Sequence, residues 1–226
     1  MSMFADGQLT LGNIFASVGA LGTASYGLVD ATKAFNGGVS NVGFGYIESA
    51  VAGYLPALRL ASSDQPLATI KANWLNGVAK ADQKAIVKSL IRLGITTATA
   101  YKLAEAAPGI DQAAFVAIAQ KIDSGGALSE EEVNILGRFD AILDAQMDAG
   151  FERADQLYRN ASKLLAALIS VILAVAAVFV YDGSHVHDDL GVAVLVGLVA
   201  TPLAPIAKDL SSALGTAVNA LKSVRG

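Results

Sequence analysis

The chain has 226 residues, of which 54% are apolar and only 16% charged, with no cysteine and a net charge of −4. Without cysteine there is no disulfide, zinc–thiolate site or thiol chemistry, and the negative balance argues against a nucleic-acid binder driven by bulk electrostatics. The mean hydropathy of +0.50 is not evenly spread. Residues 59–163 carry 12 Lys/Arg and 13 Asp/Glu, ordinary for a water-facing domain, while the rest holds only 4 and 7, so the apolar character is concentrated at the two ends.

The first ten residues, MSMFADGQLT, include Asp6 and lack the basic region of a secretory signal, so no cleaved targeting peptide is expected. Residues 7–29 are uncharged and long enough to cross a bilayer. Gly12, Ala16, Ala20 and Ala24 recur every four residues, which predicts a small-residue face that another helix can approach closely. Gly37-Gly38 marks a bend. Beyond it Phe44, Ile47, Val51, Tyr54, Leu55 and Leu58 follow a helical stripe. With Ser40 as its candidate N-cap, this segment is expected to lie at the membrane surface or against the spans. Glu48 would then face water or be paired inside a bundle. Residues 1–60 thus read as an N-terminal membrane span plus an amphipathic surface helix.

Residues 61–160 read as a cytoplasmic helical domain. Helices are predicted near 67–78, 81–93, 96–106 and 111–122, punctuated by Gly94, Pro108-Gly109 and Gly125-Gly126, and no strand-like alternation is present. Lys80, Lys84, Lys88 and Arg92 stand at strict spacing of four and form one basic stripe. Acids dominate further on, with eleven between Glu105 and Asp155 against three bases. The stripe therefore either packs near the acidic helix or faces water, or else binds anionic lipid headgroups.

The run KIDSGGALSEEEV, residues 121–133, has a glycine and acids spaced somewhat like a calcium-binding helix–loop–helix. Aligned on Gly126, however, its first and fifth ligand positions are Lys121 and Gly125, where oxygen ligands are required. Ser129 followed by Glu132 is better read as a capping box. No proline occurs from Ser129 through Val180, so one helix of about 78 Å is predicted, running out of the domain into the membrane. Val133, Leu136, Leu143, Met147, Gly150, Ala154, Leu157, Ala161 and Leu164 are its expected seam. Gly137 and Gly150 are its weak points.

Residues 161–226 read as a transmembrane hairpin and a C-terminal cytoplasmic helix. Segments 164–181 and 190–207 are each 18 residues without a charge, about 27 Å when helical. Between them VYDGSHVHDDLG carries His185 and His187 with Asp182, Asp188 and Asp189. These are ligand types for zinc, copper or nickel, but the pattern lacks a further ligand at fixed spacing and reads as a polar turn. Pro202 and Pro205 free the carbonyls of Leu198 and Thr201, which suits a bend, a hinge or a cation path. Leu210, Leu214, Ala217, Leu221 and Val224 form a seam in the tail. Arg153, Arg159 and Lys163 precede the hairpin and Lys208, Lys222 and Arg225 follow it, while its loop has no Lys or Arg. The middle domain and C-terminus should thus be cytoplasmic, in an inner or plasma membrane.

No phosphate loop, nucleophile elbow, metalloprotease helix or paired catalytic carboxylates can be picked out. No catalytic residue, cofactor or metal is assigned, and no nucleic-acid partner is expected. The expectation is an all-α polytopic membrane protein, non-enzymatic and homo-oligomeric, acting as scaffold or pore. The competing expectations are a soluble pore-forming toxin or effector with a stored apolar hairpin, or an accessory subunit of a larger membrane complex.

Overall fold

Ser129 and Glu132 begin the longest element of the chain. The Glu132 backbone N–H donates to Ser129 Oγ at 3.3 Å and the Ser129 N–H donates to the Glu132 carboxylate at 2.7 Å, which satisfies two donors that a helix start leaves open. From there α8 runs unbroken over Glu130–Tyr181, 52 residues, within one residue of the prediction at each end. Three acids in its first turn, Glu130, Glu131 and Glu132, complement the positive end of the helix dipole.

The computed structural model describes residues 11–61, 65–181 and 189–203. It is all-helical, with no strand among the described residues. In order the helices are α1 (Leu11–Ala31), α2 (Phe44–Val51), α3 (Leu55–Ala61), α4 (Ala68–Leu75), α5 (Lys80–Leu93), α6 (Ala100–Ala106), α7 (Gln112–Asp123), α8, and α9 (Asp189–Leu203). They divide into two units. One, the helical domain, spans Ser40–Tyr158 and holds α2 to α7 with the first part of α8. The other holds α1, the rest of α8 and α9.

The core of the helical domain gathers Phe44, Ile47 and Val51 from α2, Tyr54 from the 3-10 turn Ala52–Tyr54, Leu58 from α3, Val87 and Ile91 from α5, Leu103 from α6 and Phe115 from α7. These enclose Phe139, Leu143, Met147 and Phe151 of α8. Tyr54 and Phe115 meet the Phe139 ring at centroid distances of 6.0 and 4.7 Å, separations at which aromatic pairs attract. The stripe expected at the membrane surface or against the spans is thus packed inside this domain, which begins at Ser40. A helical stripe states which face is apolar; it does not state what covers it.

Ser40 does not cap α2. The residue before Phe44 is Gly43 at φ 102°, a left-handed conformation that suits glycine, and a Cβ there would run into the Ala154 carbonyl. Ser40 instead lends its carbonyl to the Trp74 indole N–H, 2.6 Å away. Gly150 hosts no break either. A Cβ on it would lie 2.5 Å from the Ala50 Cβ, so its missing side chain is what allows α2 to approach α8.

Of the expected α8 seam, Leu143, Met147, Gly150 and Ala154 are buried, whereas Val133, Leu157 and Leu164 are exposed. Phe139 and Phe151, outside that seam, are fully buried. The seam at steps of three, four or seven assumed a coiled-coil line; the observed contact is the i, i+4 row Phe139–Leu143–Met147–Phe151 flanked by Gly150 and Ala154.

In the second unit the buried positions are mostly small: Gly19, Gly22 and Ser25 on α1, where Val29 is the larger exception, Ala166, Ser170 and Ala174 on α8, and Ala193, Gly197, Ala200 and Thr201 on α9. A Cβ on Gly197 would lie 2.5 Å from Val171 Cα, so α9 packs on α8 at backbone distance there. The row expected to be the packing face of α1 is displaced, since Ala16, Ala20 and Ala24 are exposed. Expected contacts of the C-terminal tail, and Gly12's place in that row, lie outside what the structure describes.

Candidate functional site

A ladder of ion pairs joins α5 to α8 within the helical domain. The buried side of α5 is Gln83, Val87 and Ile91, which leaves Lys80, Lys84, Lys88 and Arg92 along one edge. On α8, Asp140, Asp144, Asp148 and Glu152 follow the same four-residue step, each directly after a residue of the buried Phe139–Leu143–Met147–Phe151 row. The helices run antiparallel, so Lys80 pairs with Glu152, Lys84 with Asp148, Lys88 with Asp144 and Arg92 with Asp140.

Lys88 Nζ stands 2.6 Å from Asp144 Oδ2. Arg92 makes a two-pronged contact, Nε donating to Asp140 Oδ1 at 2.9 Å and Nη2 to the other oxygen, the geometry that a guanidinium fork favours. The side chains of Lys84 and Lys88 are only about a fifth exposed (22% and 19%), so the middle rungs are partly withdrawn from water. The hydrogen bond to Glu152 holds the Lys80 ammonium above the ordinary lysine range, and Asp140 does the same for Arg92.

The arrangement is an electrostatic clasp that holds α5 against α8. The stripe offered by sequence to a lipid surface therefore has every cation engaged by a carboxylate, and a headgroup would have to compete for it. Equal spacing of four in both rows was the signal from which the pairing could have been read.

The stretch with the calcium-loop spacing is closed from within. Lys121 Nζ donates to both oxygens of Glu132 at 2.8 Å, so the residues at its first and last ligand positions neutralise each other. Lys121 and the Ser129 N–H hold the Glu132 carboxyl below its ordinary range. Likewise the Asp123 carboxyl is lowered by hydrogen bonds from the Thr97 hydroxyl and backbone N–H, tying the α7 C-terminus to the turn before α6.

His185, His187, Asp182 and Asp188 lie outside the described residues. Asp189 opens α9. Among the described residues no three of His, Asp and Glu come together as metal ligands. Pro202 sits in the last turn of described α9, beside a buried Thr201 whose hydroxyl takes no hydrogen bond from the described residues; Pro205 is outside. An open groove on α6 and α7 is lined by Tyr101, Asp111, Val116 and Gln120, and Asp111 is already committed to capping Ala113 and Ala114.

The remaining feature is apolar surface. Leu164, Leu168, Ile172, Phe179 and Val180 on α8 are exposed, from 57% to 89%, and so are Leu195 and Leu198 on α9. α1 and α8 are each long and apolar enough to cross a membrane. Only 28% and 11% of their most apolar 18-residue windows are buried, whereas the core helix of a soluble protein would be mostly covered. No known family, curated protein or solved structure matches the chain.

Proposed function

We propose that this is a non-enzymatic integral membrane protein. In this reading α1, the apolar part of α8 and α9 cross the bilayer, and the helical domain of residues 40–158 sits on the cytoplasmic side. The observation that carries it is the open apolar face of α8 from Leu164 to Val180. At roughly 25 cal/mol per Å², leaving such a face in water is strongly unfavourable, and hydrocarbon is the solvent that matches it. The basic residues on either side of the hairpin and their absence from its loop support a cytoplasmic domain and C-terminus in an inner or plasma membrane.

Assembly into a homo-oligomer, as scaffold or pore, is the function that goes with this reading. Three spans with small contact residues bury little surface alone, and the exposed Ala16, Ala20 and Ala24 of α1 leave room for a second helix. A stored-hairpin toxin would need the same apolar side chains covered, and an accessory subunit would bring stable partners.

Fractionation without detergent tests the first step. The chain should stay in the membrane pellet through alkaline carbonate washing, and recovery in the soluble fraction would defeat the reading. Subunit counting in detergent, followed by ion flux in liposomes, separates the two assemblies: intact oligomers without flux leave the scaffold.

A further inference from the structure

We infer that Ser170 of α8 and Thr201 of α9 hold a water molecule between them, a directional tie in a seam otherwise made of small apolar residues. The site lies wholly within the unit of α1, the apolar part of α8 and α9. Both side chains are covered by protein, so the inference goes beyond the membrane reading without depending on it.

The buried hydroxyls of this unit are not used alike. Ser25 and Ser170 are 0% exposed and Thr201 is 4% exposed. Ser25 Oγ donates to the Leu21 carbonyl one turn back, at 2.7 Å, the usual way in which a helix absorbs a serine. Ser170 and Thr201 have the same option at the carbonyls of Ala166 and Gly197 and do not take it. Neither oxygen has a hydrogen-bond partner among the described residues. A hydroxyl closed off from solvent without a partner is destabilising, so both are set to receive something from outside the chain.

Helix register brings the two together. A Cβ on Gly197 would lie 2.5 Å from Val171 Cα. Val171 comes ten residues before Tyr181, where α8 ends, and Gly197 eight after Asp189, where α9 begins. The two helices therefore run antiparallel with these residues level. Thr201, four residues further along α9, is level with Ala167, three residues from Ser170 and so about 4.5 Å from it along the axis. Side chains on a helix tilt toward its own N-terminus, so in this antiparallel pair they lean toward each other across that step. Ser170 shares its buried row with Ala166 and Ala174, and Thr201 shares its own with Ala193 and Gly197. Both hydroxyls thus open on the small-residue seam, too far apart to bond directly and within reach of one bridging molecule.

The chemistry of the pair selects water. Each hydroxyl both donates and accepts, and the Ala166 and Gly197 carbonyls beside them each keep a second lone pair. A buried water makes about three bonds to groups of this kind. An ion would lose its hydration without compensation there, because segments 164–181 and 190–207 carry no charge and two neutral oxygens do not replace a hydration shell.

The chain has no cysteine, so Ala193→Cys, at a seam position 6% exposed, supplies a single thiol that a maleimide reaches only when α9 leaves α8. With the full chain in detergent, its labelling rate reads how often the hairpin opens. In that background Ser170→Ala and Thr201→Val should each speed labelling about fivefold. The two together should give no more than about tenfold, because either change alone already releases the water. Ser170→Asn, whose longer side chain takes the water's place and reaches Thr201 directly, should return the rate to within about twofold of the Ala193→Cys chain. That rescue should vanish when Thr201 is replaced by Val. A combined effect equal to the product of the two singles would mean two independent hydroxyls. Singles that leave the rate unchanged or slow it would mean hydroxyls without a ligand, and failure of the Asn rescue would mean that there is no room for one. Each of these results overturns the shared water. A rate that differs among lithium, sodium and potassium salts, and does so only while both hydroxyls are present, overturns it in favour of a cation.

Discussion

At Gly150 and Gly137 the same residue type in the same helix does opposite things. A methyl group at Gly150 would lie 2.5 Å from the Ala50 Cβ and 3.2 Å from the Tyr46 carbonyl, whereas one at Gly137 meets nothing within 4 Å. Alanine gains up to about 1 kcal/mol over glycine in a helix interior, but overpacking costs about 1–3 kcal/mol. Gly150→Ala should therefore destabilise by about 1–2 kcal/mol net, and Gly137→Ala should stabilise by up to about 1 kcal/mol. Chemical unfolding of the two variants side by side in detergent reads both signs.

Tyr54 is the other residue with a decisive environment. Buried in the helical domain, its hydroxyl donates to Gln146 Oε1 at 2.6 Å, and burial pushes its pKa up to about 12 from the ordinary 10. Because the folded value lies above the unfolded one, the neutral phenol's contribution is complete below pH 10 and is lost as pH rises from 10 toward 12. Spectroscopic titration should show one tyrosine of the chain ionising last, and Tyr54→Phe should remove that amplitude. The same variant leaves Gln146 short of a partner and should cost about 1–2 kcal/mol.

Among the elements, the ladder is the place where pairing can be measured. Lys88 and Asp144 lie in its interior, with side chains 19% and 44% exposed. Their coupling in a double-mutant cycle should fall at about 0.5–1 kcal/mol at low salt, and shrink as ionic strength rises. Exchanging the two, Lys88→Asp with Asp144→Lys, should recover most of what either single reversal loses. A coupling of zero would mean that the apolar contact of Val87 and Ile91 holds α5 alone.

These elements also show where the sequence could be read and where it could not. The capping box and the absence of proline set α8 almost to the residue, because both act through the local backbone. Periodicity located α4, α5 and α7 for the same reason. The destination of an apolar face is a different matter, since it depends on residues far along the chain. The Phe44–Leu58 stripe turned inward onto Phe139 and Phe151, and the α1 packing face shifted to Gly19, Gly22 and Ser25. Of the candidate site, both charged rows were legible, and their matching pitch was the only hint that they meet. The His–Asp turn was legible as chemistry, but its geometry lies outside the described residues.

For the whole molecule, the proposed topology has one direct check. The chain has no cysteine, so single introduced thiols report sidedness on an otherwise native protein. Ser184→Cys, between α8 and α9 in the sequence, should react with an impermeant maleimide in intact cells. Ser124→Cys, after α7, should react only once the membrane is opened. The reverse pattern would invert the orientation, and equal labelling of both in intact cells would remove the spanning hairpin.

The strict pitch of the ladder has one more consequence. Slide α5 by one helical turn along α8, and Lys84 faces Glu152, Lys88 faces Asp148 and Arg92 faces Asp144, all still opposite in charge. A slide the other way also keeps three rungs, with Lys80 opposite Asp148, Lys84 opposite Asp144 and Lys88 opposite Asp140. The charges therefore work like the teeth of a rack: they hold the two bars together, but any tooth fits any gap. The position of the rack is set instead by features that do not repeat. These are Gly94 at the end of α5, where a Cβ would lie 2.5 Å from Ala57 of α3, and Gly150 and Gly43, whose close approaches to Ala50 and Ala154 seat α2 against α8.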